Sequence, residues 1–82
     1  MIKVLFFAQI REVIGCDKVE IEATTGLTAD ALRKQLVERG DKWQLTLGEA
    51  NVLVAVNQTL SGWETELSDG DEVAFFPPVT GG

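Results

Sequence analysis

Residues 24–40 read TTGLTADALRKQLVERG, and their period decides the architecture. Ala29, Leu32 and Leu36 recur on one face at helical spacing. Thr28 stands where an N-cap oxygen is needed, and Asp30 in the first turn complements the helix dipole. Asp30/Lys34 and Lys34/Glu38 are i,i+4 pairs on the wet side, and Gly40 is the expected C-terminal stop. On both sides of this helix the pattern returns to strands.

Residues 2–8 (IKVLFFA) are β-branched and aromatic, and alternation separates Ile2, Val4 and Phe6 from Lys3, Leu5 and Phe7. Residues 9–17 read as a connection with one helical turn, closed by Gly15. Residues 18–23 alternate as a second strand with Val19 and Ile21 inward. After the helix, residues 41–48 add a short helical turn with Trp43 and Leu47 at i,i+4. Residues 51–57 form a third strand, Thr59 and Leu60 a brief fourth, Asp69-Gly70 a turn, and residues 72–76 the last strand. The order β-β-α-β-β-β predicts one α+β domain over residues 1–76, followed by an extended tail over 77–82. In the β-grasp version of this layout, a mixed sheet of four to five strands carries one main helix, with the first and last strands central and parallel.

Composition excludes several classes of function. Seven Lys and Arg against 13 Asp and Glu leave a net charge of −6. Nucleic acid and anionic membrane surfaces both select for basic residues, so neither is an expected partner; a protein with a basic docking face fits better. The apolar start MIKVLFFA lacks the basic stretch and cleavage context of a secretory signal and is too short to span a membrane, so a cytoplasmic location is expected. With no histidine and Cys16 as the single thiol, neither a metal-ligand set nor a Ser/His/Asp triad is expected, and TTGLTAD has the wrong spacing for a phosphate loop. The chain reads as a substrate or carrier that binds no cofactor of its own.

The C-terminus, FFPPVTGG, carries the chemistry. Pro77 has no N–H for a ladder and biases Phe76 to be extended. Pro77-Pro78 favours polyproline II, and the six residues from Pro77 to Gly82 can reach roughly 20 Å. Gly81 and Gly82 have no side chains, so the end can enter a narrow channel and its last carbonyl is open to attack. A carboxylate is a poor electrophile; adenylation by ATP supplies a leaving group. A sulfur nucleophile would then give a thiocarboxylate, and an amine would give an amide. The pattern suits a carrier or a conjugated modifier, against the plainer reading of a frayed end.

Three stretches, MIKVLFFAQIRE (1–12), LVAVNQ (53–58) and LSDGDEVAFFPPVTGG (67–82), resemble the small subunits of molybdopterin synthase. The resemblance implies a ubiquitin-like β-grasp fold and a sulfur carrier in molybdenum cofactor biosynthesis. It implies two partners: a ubiquitin-activating-enzyme-like adenylyltransferase that consumes ATP, and a large synthase subunit whose site receives the tail. Gly82 would bear the thiocarboxylate and Gly81 would be its required neighbour, with sulfur passing to cyclic pyranopterin monophosphate. The implied assembly is a heterotetramer, with two small subunits flanking a dimer of large ones. Carriers for thiamin thiazole formation share the Gly-Gly but lack FFPPVTGG. The tail chemistry also suits a modifier that forms isopeptide bonds, and an inert tail would leave a plain interaction module.

If Ile2, Val4, Phe6, Val73 and Phe75 fill the core, Phe7 and Phe76 are left on the open side of the sheet. Exposed aromatics beside a functional tail suggest a docking patch, which Leu60 extends and which continues into Pro77, Pro78, Val79 and Thr80. Trp43 and Trp63 read as packing residues, Asn57 as a turn residue, and Cys16 as an incidental loop thiol without an activating base.

Overall fold

A polar cap starts the main helix as expected. The Thr28 hydroxyl accepts from the Ala31 N–H at 3.1 Å, and α2 runs Ala29–Val37 with Ala29, Leu32 and Leu36 fully buried. Replacing Thr28 with Ala should cost about 1 kcal/mol, a fall of roughly 4–8 °C in thermal midpoint. Lys34 pairs with Asp30 at 3.2 Å, whereas the expected Lys34/Glu38 pair does not form. The helix also stops earlier than Gly40, at Val37, and Gly40 instead precedes the next helix.

The computed structural model describes residues 1–77; Pro78, Val79, Thr80, Gly81 and Gly82 lie outside the described residues. The remaining elements are β1 (Ile2–Phe6), α1 (Ala8–Ile14), β2 (Lys18–Ile21), α3 (Asp41–Leu47), β3 (Leu53–Val56), β4 (Thr59–Ser61) and β5 (Glu72–Phe76). The sheet order is β2-β1-β5-β3-β4. β1 and β5 are parallel and adjacent, and every other pairing is antiparallel. This is the mixed five-stranded sheet of a ubiquitin-like β-grasp.

Two short helices join the main one. Residues 9–17 were expected to give a single turn; α1 instead has seven residues, and the first strand ends at Phe6 rather than Ala8. The chain swings from strand into helix at Ala8, whose φ is +53°. No side chain caps α1, so the sequence carries no polar start signal. Its apolar residues Ile10, Val13 and Ile14 do have helical spacing, and Gly15 (φ +85°) closes it by donating to the Arg11 carbonyl at 2.9 Å. The expected turn at residues 41–48 is likewise a seven-residue helix.

The helices cover one face of the sheet. Beneath them lie Ile2, Val4 and Phe6 of β1, Val54 of β3, and Val73 and Phe75 of β5, none more than 1% exposed. In β2, Val19 and Ile21 face the same way, paired with Val4 and Ile2 and packed against this core. Phe75 is stacked between Phe6 (centroids 6.3 Å) and Trp63 (5.9 Å), and Trp43 meets Phe6 edge-on at 5.5 Å. Both tryptophans pack against the core, and Arg33 lies 4.6 Å over the Trp63 ring.

The opposite end of the molecule is tied by polar contacts. Asn57 (φ +51°) turns the β3–β4 hairpin, donates to the Asp71 carboxylate at 3.0 Å and accepts from the Glu72 N–H. The N-terminal ammonium of Met1 donates to Asp69, while the Gly70 N–H reaches the Met1 carbonyl. The ammonium's hydrogen bond and charge lower the Asp69 pKa. A carboxyl depressed in the folded state stabilises the fold above its unfolded value and loses that contribution as pH falls through the folded one. Asp69→Asn should therefore flatten the loss of stability below about pH 4, as read from thermal midpoints across an acid series; the effect is small because both groups are exposed.

Candidate docking face and tail exit

Because strand residues alternate, the face away from the helices takes Lys3 and Leu5 of β1, Leu53 and Ala55 of β3, Leu60 of β4, and Glu72, Ala74 and Phe76 of β5. Pairing registers Leu5, Ala74, Ala55 and Leu60 in one row across four strands. Leu53 pairs with Phe76 in the next row toward the tail. Phe7, just past the end of β1, stacks on Phe76 with centroids 5.1 Å apart and planes within 9°. Polar residues flank this apolar surface: Lys18 beside Leu5 at the β2 edge, and the Lys3–Glu72 pair of positions at the end away from the tail.

Phe7 is 38% exposed and Leu60 67% exposed, as expected of residues left outside the core. Phe76 is half-buried by its partners and runs directly into Pro77. Ala55 and Ala74 are buried yet stand outside the helix-side core. Phe7, Phe76 and Pro77 thus form a contiguous exit from the domain, with Leu60 at the far edge of the same face. Leu5, Leu53, Ala55 and Ala74 join this face without having been expected at a docking site. Alternation along β5 places Ala74 with Phe76, whereas the placing of Leu53 and Ala55 follows only from the antiparallel β3–β5 register. Pro78, Val79, Thr80, Gly81 and Gly82, the other tail residues singled out, lie outside the described residues.

Cys16 sits between α1 and β2, half-buried against the core. Among the described residues no cluster of three His, Cys, Asp or Glu side chains could hold a metal ion, and no helix is long and apolar enough to cross a membrane. Phe7, Phe76 and Pro77 present an apolar surface at the end of β5.

Comparison with known proteins gives this arrangement a context. The ThiS family profile matches residues 4–82. The chain belongs to the ThiS family. Within it, the chain is 55% identical over 82 residues to the molybdopterin synthase sulfur carrier subunit of Escherichia coli K12, and 54% identical to that of Haemophilus influenzae Rd. Both alignments cover 100% of each chain. It is also 39% identical to small archaeal modifier protein 3 of Haloferax volcanii, over 94% of either chain. Among solved structures it resembles a Pyrococcus furiosus protein proposed to be subunit 1 of a molybdopterin converting factor (TM-score 0.80, 36% identity, covering 95% of this chain and 97% of that one). It also resembles a chain from the complex of subunits 1 and 2 of the Helicobacter pylori molybdopterin-converting factor (TM-score 0.69, 30% identity, covering 99% and 97%).

Proposed function

We propose that this chain is the sulfur carrier subunit of a molybdopterin synthase. The observation that carries the reading is the stacked Phe7–Phe76 pair, placed where β5 passes into the tail that ends in Gly81 and Gly82. A partner that takes in this tail must pass over that apolar exit. The names of the full-length relatives at 54% and 55% identity support the sulfur-carrier role, and the Helicobacter pylori complex supports a large-subunit partner.

The chemistry is assigned as follows. An adenylyltransferase joins the Gly82 carboxylate to the AMP portion of ATP, releasing pyrophosphate. Hydrosulfide attacks the adenylate carbonyl, AMP departs with the electron pair of the acyl C–O bond, and loss of the sulfur-bound proton leaves a thiocarboxylate. In the large subunit the thiocarboxylate sulfur bonds to a carbon of cyclic pyranopterin monophosphate with loss of an oxygen substituent from that carbon, and water then cleaves the acyl C–S bond to return the Gly82 carboxylate. The carrier holds no ATP, metal or other cofactor; nucleotide and pterin are bound by its partners. The net charge of −6 suits this division of labour, since basic residues that hold the pterin phosphate belong on the large subunit. Two carriers flanking a large-subunit dimer complete the proposed assembly, which works in the cytoplasm.

Reconstitution tests this reading: the chain, activating enzyme, ATP, a sulfur source, large subunit and cyclic pyranopterin monophosphate should together yield molybdopterin. Omitting the chain should stop the reaction, and product formed without it would refute the assignment. Cys16→Ser should keep activity near wild type, because the sulfur rides on Gly82 and no base activates this thiol. Loss of thiocarboxylate formation in that variant, with its circular dichroism unchanged, would move the sulfur to Cys16. The modifier relative supports a second reading, since the same adenylate reacts with lysine amines. Isopeptide-linked adducts in the reconstituted mixture, without thiocarboxylate, would favour it. A carrier for thiamin thiazole would instead load sulfur and fail to yield molybdopterin with the large subunit.

A further inference from the structure

On the helical side of the molecule a second apolar surface begins where the described chain ends. Val13 of α1 is 41% exposed and Leu45 of α3 is 69% exposed. With Ile10, Thr46 and Glu49 they line a groove of about 350 Å³, and Pro77 forms part of its wall. Neither Val13 nor Leu45 belongs to the open sheet face, so the Phe7–Phe76 patch does not account for their exposure.

Five residues follow Pro77. The first two, Pro78 and Val79, are apolar; Thr80, Gly81 and Gly82 offer little to bury. Extended, five residues cover roughly 16 Å, against about 10 Å for the seven residues of α3. The tail is therefore long enough to lie along the groove with its end beyond it. The Glu49 carboxylate on the groove wall disfavours the terminal carboxylate and so favours burial of Pro78 and Val79 instead. Attachment at Pro77 gives the segment an effective concentration in the millimolar range, so a contact too weak to hold a free peptide still becomes populated.

We propose that the groove between α1 and α3 is a resting site for the chain's own tail, with Pro78 and Val79 against Val13 and Leu45. Docking there competes with delivery of the Gly-Gly end to a partner and shelters the terminus between deliveries. The contact is reversible by construction, since the tail has to leave it to react.

Methyl NMR on the free, full-length chain tests this directly. Nuclear Overhauser contacts are expected from Val79 to Val13 and Leu45, and a chain ending at Pro77 should show shifted Val13 and Leu45 methyl signals. Leu45→Gln should remove those contacts with little change in thermal midpoint, because Leu45 is largely exposed. It should also speed trimming of Gly82 by a carboxypeptidase; a tail docked half the time is cut about twice as fast once released. The absence of contacts together with unchanged shifts on truncation would overturn the proposal. So would contacts that vanish on dilution, which would assign the groove to a second copy. Methyl shifts seen only when the large subunit is added would assign it to that partner, and would equally overturn the resting site.

Discussion

Deleting Gly82, or adding one residue after it, should lower molybdopterin formation by at least about a hundredfold while the domain stays folded. The tail's base is fixed at Pro77, so each residue added or removed moves the carboxylate by about 3.3 Å. Reaction needs atoms within about 3–3.5 Å, and a misplacement of about 1 Å already costs on the order of a hundredfold. Removing Gly82 shifts the reacting carbon by several times that. The fold should not respond, because among the described residues the buried core ends at Phe75, and Gly82 has no side chain to bury. The check is product yield in the reconstituted reaction beside a thermal midpoint. A truncated chain that still makes molybdopterin at a comparable rate would break the link between Gly82 and sulfur.

Two adjacent phenylalanines should give opposite phenotypes. Phe75 is fully buried between Phe6 and Trp63, so Phe75→Ala should cost about 3–5 kcal/mol. A domain of this size has roughly 4–12 kcal/mol in all, so the midpoint should fall by more than about 10 °C. Phe76 contacts Phe7 on the other face, and losing that stack costs about 1 kcal/mol of stability. The larger effect of Phe76→Ala should appear in binding to the large subunit, with a loss of about 2 kcal/mol or more, roughly 30-fold in affinity. Calorimetric titration and thermal unfolding on both variants separate the two roles. Unchanged affinity in a folded Phe76→Ala protein would show that the patch is not the docking surface.

The sequence conveyed which face each of these rings takes because polar Glu72 sets the register of an otherwise apolar strand and Pro77 marks its end. It also conveyed α2, whose cap, first-turn acid and Leu32/Leu36 spacing agree. Helix α1 was harder to see. Phe7 reads as strand continuation, Ala8 adopts a left-handed conformation that its side chain does not announce, and no polar residue caps the start. The inner and outer faces of β3 were hidden for another reason: Leu53–Val56 is a continuous apolar run, in which alternation is invisible until β5 supplies the register. The row Leu5, Ala74, Ala55 and Leu60 is thus a tertiary fact. The groove between α1 and α3 is another, since it depends on how two short helices pack and not on either helix alone. The proposed chemistry of the Gly-Gly end, by contrast, rests on residue type alone, since Gly81 and Gly82 lie outside the described residues.

Intact mass spectrometry is the most direct test of the central claim. The chain is incubated with its activating enzyme, ATP and a sulfur donor, and its mass is read before and after. The predicted result is a gain equal to exchanging one oxygen for sulfur, localised to Gly82 by fragmentation, dependent on ATP and present in Cys16→Ser. An unchanged mass under conditions that load a known carrier, or a sulfur found on Cys16 and absent from Gly82, would contradict the account.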